Sequence, residues 1–128
     1  MPLFRHNKAE ELMLSTDEAE YIYNKMDTSV RLCFSSKVNE TYNRVVKKAI
    51  AYTVARIKYK LASDDKRDDL YKTMNSEYEE FRIAINILAH TMEENKVDTS
   101  WYARLGGDRN QNSDYACYIT YHTALAIG

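Results

Sequence analysis

His6, His90 and His122 are the three histidines of this chain, and they fall in three separate segments. None stands in an HxxxH, HExxH or ExxH pattern, the spacings that put two ligands on one helical face. Zinc and di-iron chemistry therefore lack a ligand set, and no metal or cofactor is expected. His90 has Glu93 and Glu94 nearby, one acid–base pair within reach, but a histidine in the last turn of a helix serves the dipole and the final carbonyls equally well. Cys33 and Cys117 are too far apart for a CxxC redox pair, and neither has an adjacent histidine to lower its pKa. No GxSxG, Walker or GxGxxG pattern occurs, and Gly106-Gly107 stands where a helix would be capped. The chain is expected to work without catalysis.

Two other groups of side chains carry chemistry of a different kind. The first is aromatic: 11 tyrosines and one tryptophan against only 3 phenylalanines. Tyr21 and Tyr23 flank Ile22, and Trp101, Tyr102 and Tyr121 lie in the last 28 residues, off the apolar stripes or beside the one loop-like run. Tyrosine and tryptophan combine a large apolar area with one polar tip, which suits a surface covered by a partner and wet at its rim. These five residues are the expected partner-binding set. The helix-period tyrosines Tyr42, Tyr78 and Tyr118 are expected to be core residues with hydroxyls reaching the edge.

The second group is basic. Lys37 to Ala62 holds seven cationic residues and only Glu40, whereas Glu10 to Asp27 and Asp64 to Lys96 are both net acidic. On a helical wheel Lys37, Arg44, Lys47, Lys48 and Lys58 fall within roughly 100° of arc, almost opposite the apolar side. A row of this kind contacts phosphates and releases counterions from nucleic acid, with Tyr59 alongside for stacking. The plainer reading is the solvated face of a helix between acidic neighbours. Arg56 and Lys60 point nearer the apolar side and are expected to snorkel or to meet a carboxylate of the next helix.

The elements that hold these groups follow from what the chain lacks. From Leu3 to Leu105 there is neither glycine nor proline, so the turns that a sheet needs have no supply of residues for φ > 0. The fold class is all-α: one helical domain over 1–128, a bundle of three long helices plus a C-terminal helix and short helical turns. Capping boxes at Asn7/Glu10 and Ser15/Glu18 start a short N-terminal turn and a first long helix over about 16–34. A second runs from about Val38 to Ala62 with Val38, Tyr42, Val45, Val46, Ala49, Thr53, Ile57 and Leu61 on one side. Ser63-Asp64-Asp65 makes the turn. A third carries Leu70, Met74, Tyr78, Phe81, Ile85, Leu88 and Met92 in heptad-like steps and ends near Asn95, with a break at Asn75-Ser76 as the alternative to one rod. A helical turn around Trp101 precedes a loop over 106–112. Ser113-Asp114 then caps a last helix with Tyr115, Tyr118, Ile119, His122, Leu125 and Ala126 on one side.

At 128 residues with 45% apolar and 29% charged residues, the chain is rich enough to bury one core. A formal net charge of −1 leaves little like-charge repulsion to oppose association. No apolar run of membrane-spanning or signal-peptide length is present, so a cytoplasmic protein with no membrane partner is expected. Small size and an Asn/Lys/Tyr-rich composition suit a virus-encoded protein of the virion or host cytoplasm. The function expected is that of an assembly subunit, adaptor or inhibitor that binds another protein or itself as a homo-oligomer. Nucleic-acid binding through the basic face of the second long helix is the alternative.

Overall fold

The computed structural model describes residues 17–105 and 109–127. It is all helical: α1 (Asp17–Arg31), α2 (Ser36–Leu61), a 3₁₀ turn (Asp64–Lys66), α3 (Arg67–Glu94), α4 (Ser100–Leu105) and α5 (Arg109–Ile127). The Asn7 and Ser15 capping boxes, the N-terminal turn, His6 and Gly106-Gly107 lie outside the described residues, as do the side chains of Leu125 and Ala126.

α1 begins with Asp17, Glu18 and Glu20, whose carboxylates suit the positive end of the helix dipole. It stops at Arg31, earlier than the sequence pattern predicts, because the chain turns at Leu32 and Ser35 takes over as the cap of α2. The Ser35 hydroxyl accepts from the Val38 N–H at 3.2 Å. α2 and α3 form the most extensive pairing in the molecule. Contacts between Lys48 and Glu80, Tyr52 and Tyr78, and Tyr59 and Tyr71 show the antiparallel register, since one number rises as the other falls.

α3 is a continuous rod through Asn75-Ser76. Its seam packs as the heptad spacing predicts from Met74 on, with Met74, Tyr78, Phe81, Ile85, Leu88 and Met92 all buried, while Leu70 at its start is half-buried. The helix ends in a Schellman motif: the Val97 N–H reaches the Met92 carbonyl at 2.8 Å, and the Lys96 N–H reaches that of Glu93 at 3.0 Å. Lys96 occupies the left-handed position, with φ of 58°.

α5 departs most from expectation. It starts at Arg109, so the loop expected up to Asn112 is shorter, and Asn112 and Ser113 are buried inside the helix rather than capping it. Between 112 and 120 only Asp114 and Tyr118 are less than fully buried. The buried positions cover roughly 200° of the helix, too wide for a one-sided stripe. α5 therefore packs within the bundle against α1, α2 and α3. Its polar residues are matched there: the Ser113 hydroxyl meets that of Tyr52 at 2.6 Å, and the Thr120 hydroxyl meets that of Thr53 at 3.0 Å. Buried residues of all five helices, with Phe81, Trp101 and Tyr115 among the largest, form one contiguous core.

Candidate functional site

The five tyrosine and tryptophan positions expected to bind a partner do not form one face. Trp101 is fully buried and Tyr23 nearly so. This corrects the expectation for both: α4 folds back across the bundle and inserts the Trp101 indole into the core, while Tyr23 faces α2 and α5. Tyr102 packs edge-on against Trp101 at 5.8 Å, and its hydroxyl donates to Asn86. Tyr21 is exposed beneath the Arg104 guanidinium, 4.4 Å from its ring. Arg104 also donates to both Glu18 oxygens, at 2.9 and 3.0 Å, and holds that carboxyl below its ordinary pKa. This Arg104–Glu18–Tyr21 cluster ties α4 to α1. Tyr121 is half-buried with its ring 6.4 Å from that of Tyr118.

The basic row keeps four members in the open. Lys37, Arg44, Lys47 and Lys58 are exposed, and none forms an ion pair among the described residues. A shallow hollow of about 370 Å³ lies between Glu40, Thr41, Asn43, Arg44 and Lys47. Lys48 has left the row: it is half-buried and donates to Glu80 at 3.0 Å, a tie between the basic α2 and the acidic α3. Tyr59 is not open for stacking on both sides, because Arg67 lies 4.4 Å over its ring and Tyr71 packs beside it.

The most exposed apolar group among the described residues is one the helical periodicity did not single out. Phe34 is 99% exposed and Leu32 75% exposed, on either side of the half-buried Cys33 in the α1–α2 connection. The backbone here is pinned at both ends. The Leu32 N–H bonds to the Thr28 carbonyl at 3.0 Å, the Cys33 N–H to that of Val30 at 3.1 Å, and the Ser35 N–H to the Cys33 sulfur at 3.4 Å. With Cys33 turned toward the core, its two neighbours are left outside. They overhang a hollow of about 500 Å³ whose far wall is the Asn95–Asp98 turn after α3.

A row of polar side chains runs through the α1–α2–α5 junction. The Tyr42 hydroxyl donates to Asp27 at 3.0 Å; the Tyr23 hydroxyl lies 3.3 Å from that of Tyr42 and 3.3 Å from His122 Nδ1. Arg31 closes the row on Asp27 at 2.7 Å. Asp27 only accepts, so every bond is made at once when all the protons point toward it: His122 Nδ1–H to Tyr23, Tyr23 to Tyr42, Tyr42 to Asp27. Burial pushes the Tyr23, Tyr42 and Tyr115 hydroxyls above the ordinary tyrosine pKa. Tyr23 and Tyr42 keep their protons, and the row acts as a tie between three helices.

The other histidine on the described residues, His90, is exposed, with Nε2 at 3.5 Å from Glu94. No group of three or more His, Cys, Asp or Glu side chains among the described residues is placed to hold a metal ion. No described helix is long and apolar enough to cross a membrane. The class that fold and surface define is an all-α bundle with a polar-lined inner helix and an apolar tip. No protein-family model, curated protein or solved structure matches this chain.

Proposed function

We propose that the protein acts by contact rather than catalysis, docking through the Leu32–Phe34 tip onto another protein or a second copy of itself. The observation that carries this reading is the 99% exposure of Phe34 on a backbone that hydrogen bonds hold in place. A phenylalanine left in water forgoes ~2–3 kcal/mol of burial that a partner's pocket would supply. A rigid aromatic at a bundle end is the kind of anchor that dominates small interfaces. Tyr102 and Tyr21 are already engaged by Asn86 and Arg104, which leaves the tip as the stronger apolar lead.

The test pairs Phe34→Ser with Leu32→Ser. Light scattering over a wide concentration range reads self-association, and capture from the native host reads a separate partner. Folding stability should change by less than ~0.5 kcal/mol, as expected at exposed positions. Association should weaken by at least about tenfold. A doubly substituted protein that still assembles and still captures the same partner refutes the reading.

The second reading is nucleic-acid binding on the outer face of α2. It is favoured by the exposure of Lys37, Arg44, Lys47 and Lys58 in one row without ion pairs among the described residues. Arg44→Glu with Lys47→Glu should then weaken binding to DNA or RNA and flatten its salt dependence. Unchanged retention at low salt removes this reading.

A further inference from the structure

α2 and α3 form one layer, and α5 packs on one side of it through Tyr52 and Thr53 of α2 and Phe81 of α3. The opposite side is open. On α2 it carries Lys37, Arg44, Lys47, Ala51, Val54 and Lys58; on α3 it carries Asp69, Ser76, Glu80, Ile83, Ile87 and Glu94. Each set recurs in steps of three, four or seven residues, which keeps it on a single side of its helix, the spacing of a surface that packs on another helix. Ala51 is half-buried and the rest are exposed, Val54, Ile83 and Ile87 by 42%, 47% and 43%.

Charge divides this open face. The α2 stripe holds four cations, with Glu40 beside them, and none of the four is in an ion pair among the described residues. The α3 stripe holds three carboxylates. Asp69 is exposed; Glu80 gives Oε1 to Lys48 and keeps a second oxygen for another donor; Glu94 meets His90 at 3.5 Å with its side chain 59% exposed.

We propose that this face pairs with the same face of a second copy in an isologous dimer. Charge selects the symmetry axis. A two-fold axis across the helices sets α2 on α2 and like charges together, whereas one parallel to the helices sets each α2 on the other copy's α3. With that axis the second copy's α2 stands at the height of the chain's own, so the register of the Lys48–Glu80 and Tyr52–Tyr78 contacts carries over to it. Lys37, Lys47 and Lys58 then come level, within one turn, with Glu94, Glu80 and Asp69 of the second copy. The stems of Arg44 and Lys47 cover its Ile83 and Ile87. A face about 39 Å long and about 20 Å wide offers ~800 Å² per copy, the size of a stable interface. A nucleic acid on this face would meet the same three carboxylates, which repel phosphates.

The interface is separate from the tip, and the test keeps the two apart. Sedimentation equilibrium of the full-length protein over a wide concentration range is run on the parent and on the Leu32→Ser/Phe34→Ser variant. A dimer of twice 15.0 kDa in both, weakened by salt, is expected. Lys58→Glu alone and Asp69→Lys alone should each weaken it at least about tenfold, since each sets like charges together at two symmetric places. The two changes in one chain should restore it, because each pair re-forms with its charges exchanged. Ile83→Gln with Ile87→Gln should also weaken it. Both charge positions are exposed, and an unchanged circular dichroism spectrum separates loss of mass from loss of fold. A parent that is monomeric throughout, a dimer lost in the tip variant, or an exchanged chain no more dimeric than the single variants overturns the proposal. So does a Lys58→Glu protein that keeps its mass and loses retention on DNA or RNA.

Discussion

Replacing Tyr42 by phenylalanine removes one oxygen from the middle of the row that joins α1, α2 and α5. That oxygen donates to Asp27 at 3.0 Å and lies 3.3 Å from the Tyr23 hydroxyl. A hydrogen bond to a charged group contributes ~1.5–3 kcal/mol. Two features reduce the loss. Asp27 keeps Arg31 at 2.7 Å, and Tyr23 keeps His122 by turning its proton toward Nδ1 when that nitrogen is unprotonated. Tyr42→Phe should therefore cost ~1–2 kcal/mol at neutral pH, read by urea unfolding with far-ultraviolet circular dichroism. The slope against urea should be unchanged, since the exposed area on unfolding is the same.

The same variant has a signature in alkali. Tyr42 has its pKa raised from an ordinary value of 10.0, first by burial, and Tyr23 and Tyr52 are raised for the same leading reason. Above pH 10 the unfolded chain loses these protons while the folded chain keeps them, so stability is full below that pH and falls as pH rises through the folded values. Removing Tyr42 takes away one such group, and the alkaline decline should become shallower. Adding Tyr23→Phe should give less than additive loss, because the two hydroxyls share a bond. A change below ~0.5 kcal/mol at neutral pH, or an alkaline limb identical to the parent, would refute the role given to this row.

Trp101 is fully buried, and its Nε1 has no hydrogen-bond partner among the described residues. Trp101→Phe removes an unpaired donor worth ~1–3 kcal/mol of penalty against a similar cost in lost volume, so calorimetry should find it within about 1 kcal/mol of the parent. Trp101→Ala should cost ~3–5 kcal/mol; equal losses in the two variants would mean that the indole N–H is bonded after all. Lys96→Gly relieves a left-handed φ of 58° at the C′ position of α3 and should stabilise by ~0.5–1 kcal/mol in equilibrium unfolding, with a loss counting against the Schellman assignment. Cys33 lines the hollow at the tip, whereas burial pushes the Cys117 thiol pKa up, so a thiol reagent should label Cys33 in the native protein and Cys117 only as the fold opens. Equal labelling rates would contradict this burial pattern.

What the sequence could reveal was set by how one-sided each helix is. α3 shows a seam because most of its outward residues are polar or charged, Tyr71, Ile83 and Ile87 apart, so Met74, Phe81, Leu88 and Met92 stand out by contrast, and all are buried as their spacing predicts. α5 offers no such contrast. Asn112 reads as a loop residue and Ser113 as a cap, yet both are buried, and the Ser113 and Thr120 hydroxyls find partners on α2. That information lies 60 or so positions away, at Tyr52 and Thr53, and no local window contains it. Trp101 was misplaced for a related reason: a six-residue helix is too short to show a period, so its side toward the core has no local mark. Phe34 did leave a trace. It is an aromatic residue in a serine-rich break rather than on a stripe, and such a position is where an apolar side chain has no helix to turn it inward.

The tyrosine excess follows from the same geometry. An inner helix that carries hydroxyls and amides needs polar partners, and a tyrosine supplies ring area for packing with a donor at its far end. Tyr52 does this for Ser113, Tyr23 for His122 and Tyr42 for Asp27, each across a helix–helix boundary. Phenylalanine at Tyr52 or Tyr23 would fill the space and take that partner from Ser113 or His122 of the inner helix. Leu32 and Phe34 at the tip and the tyrosines of the core thus have opposite tasks: the tyrosines at helix crossings tie the bundle, while Phe34, with no hydroxyl to satisfy, stands in solvent where we propose that a partner docks.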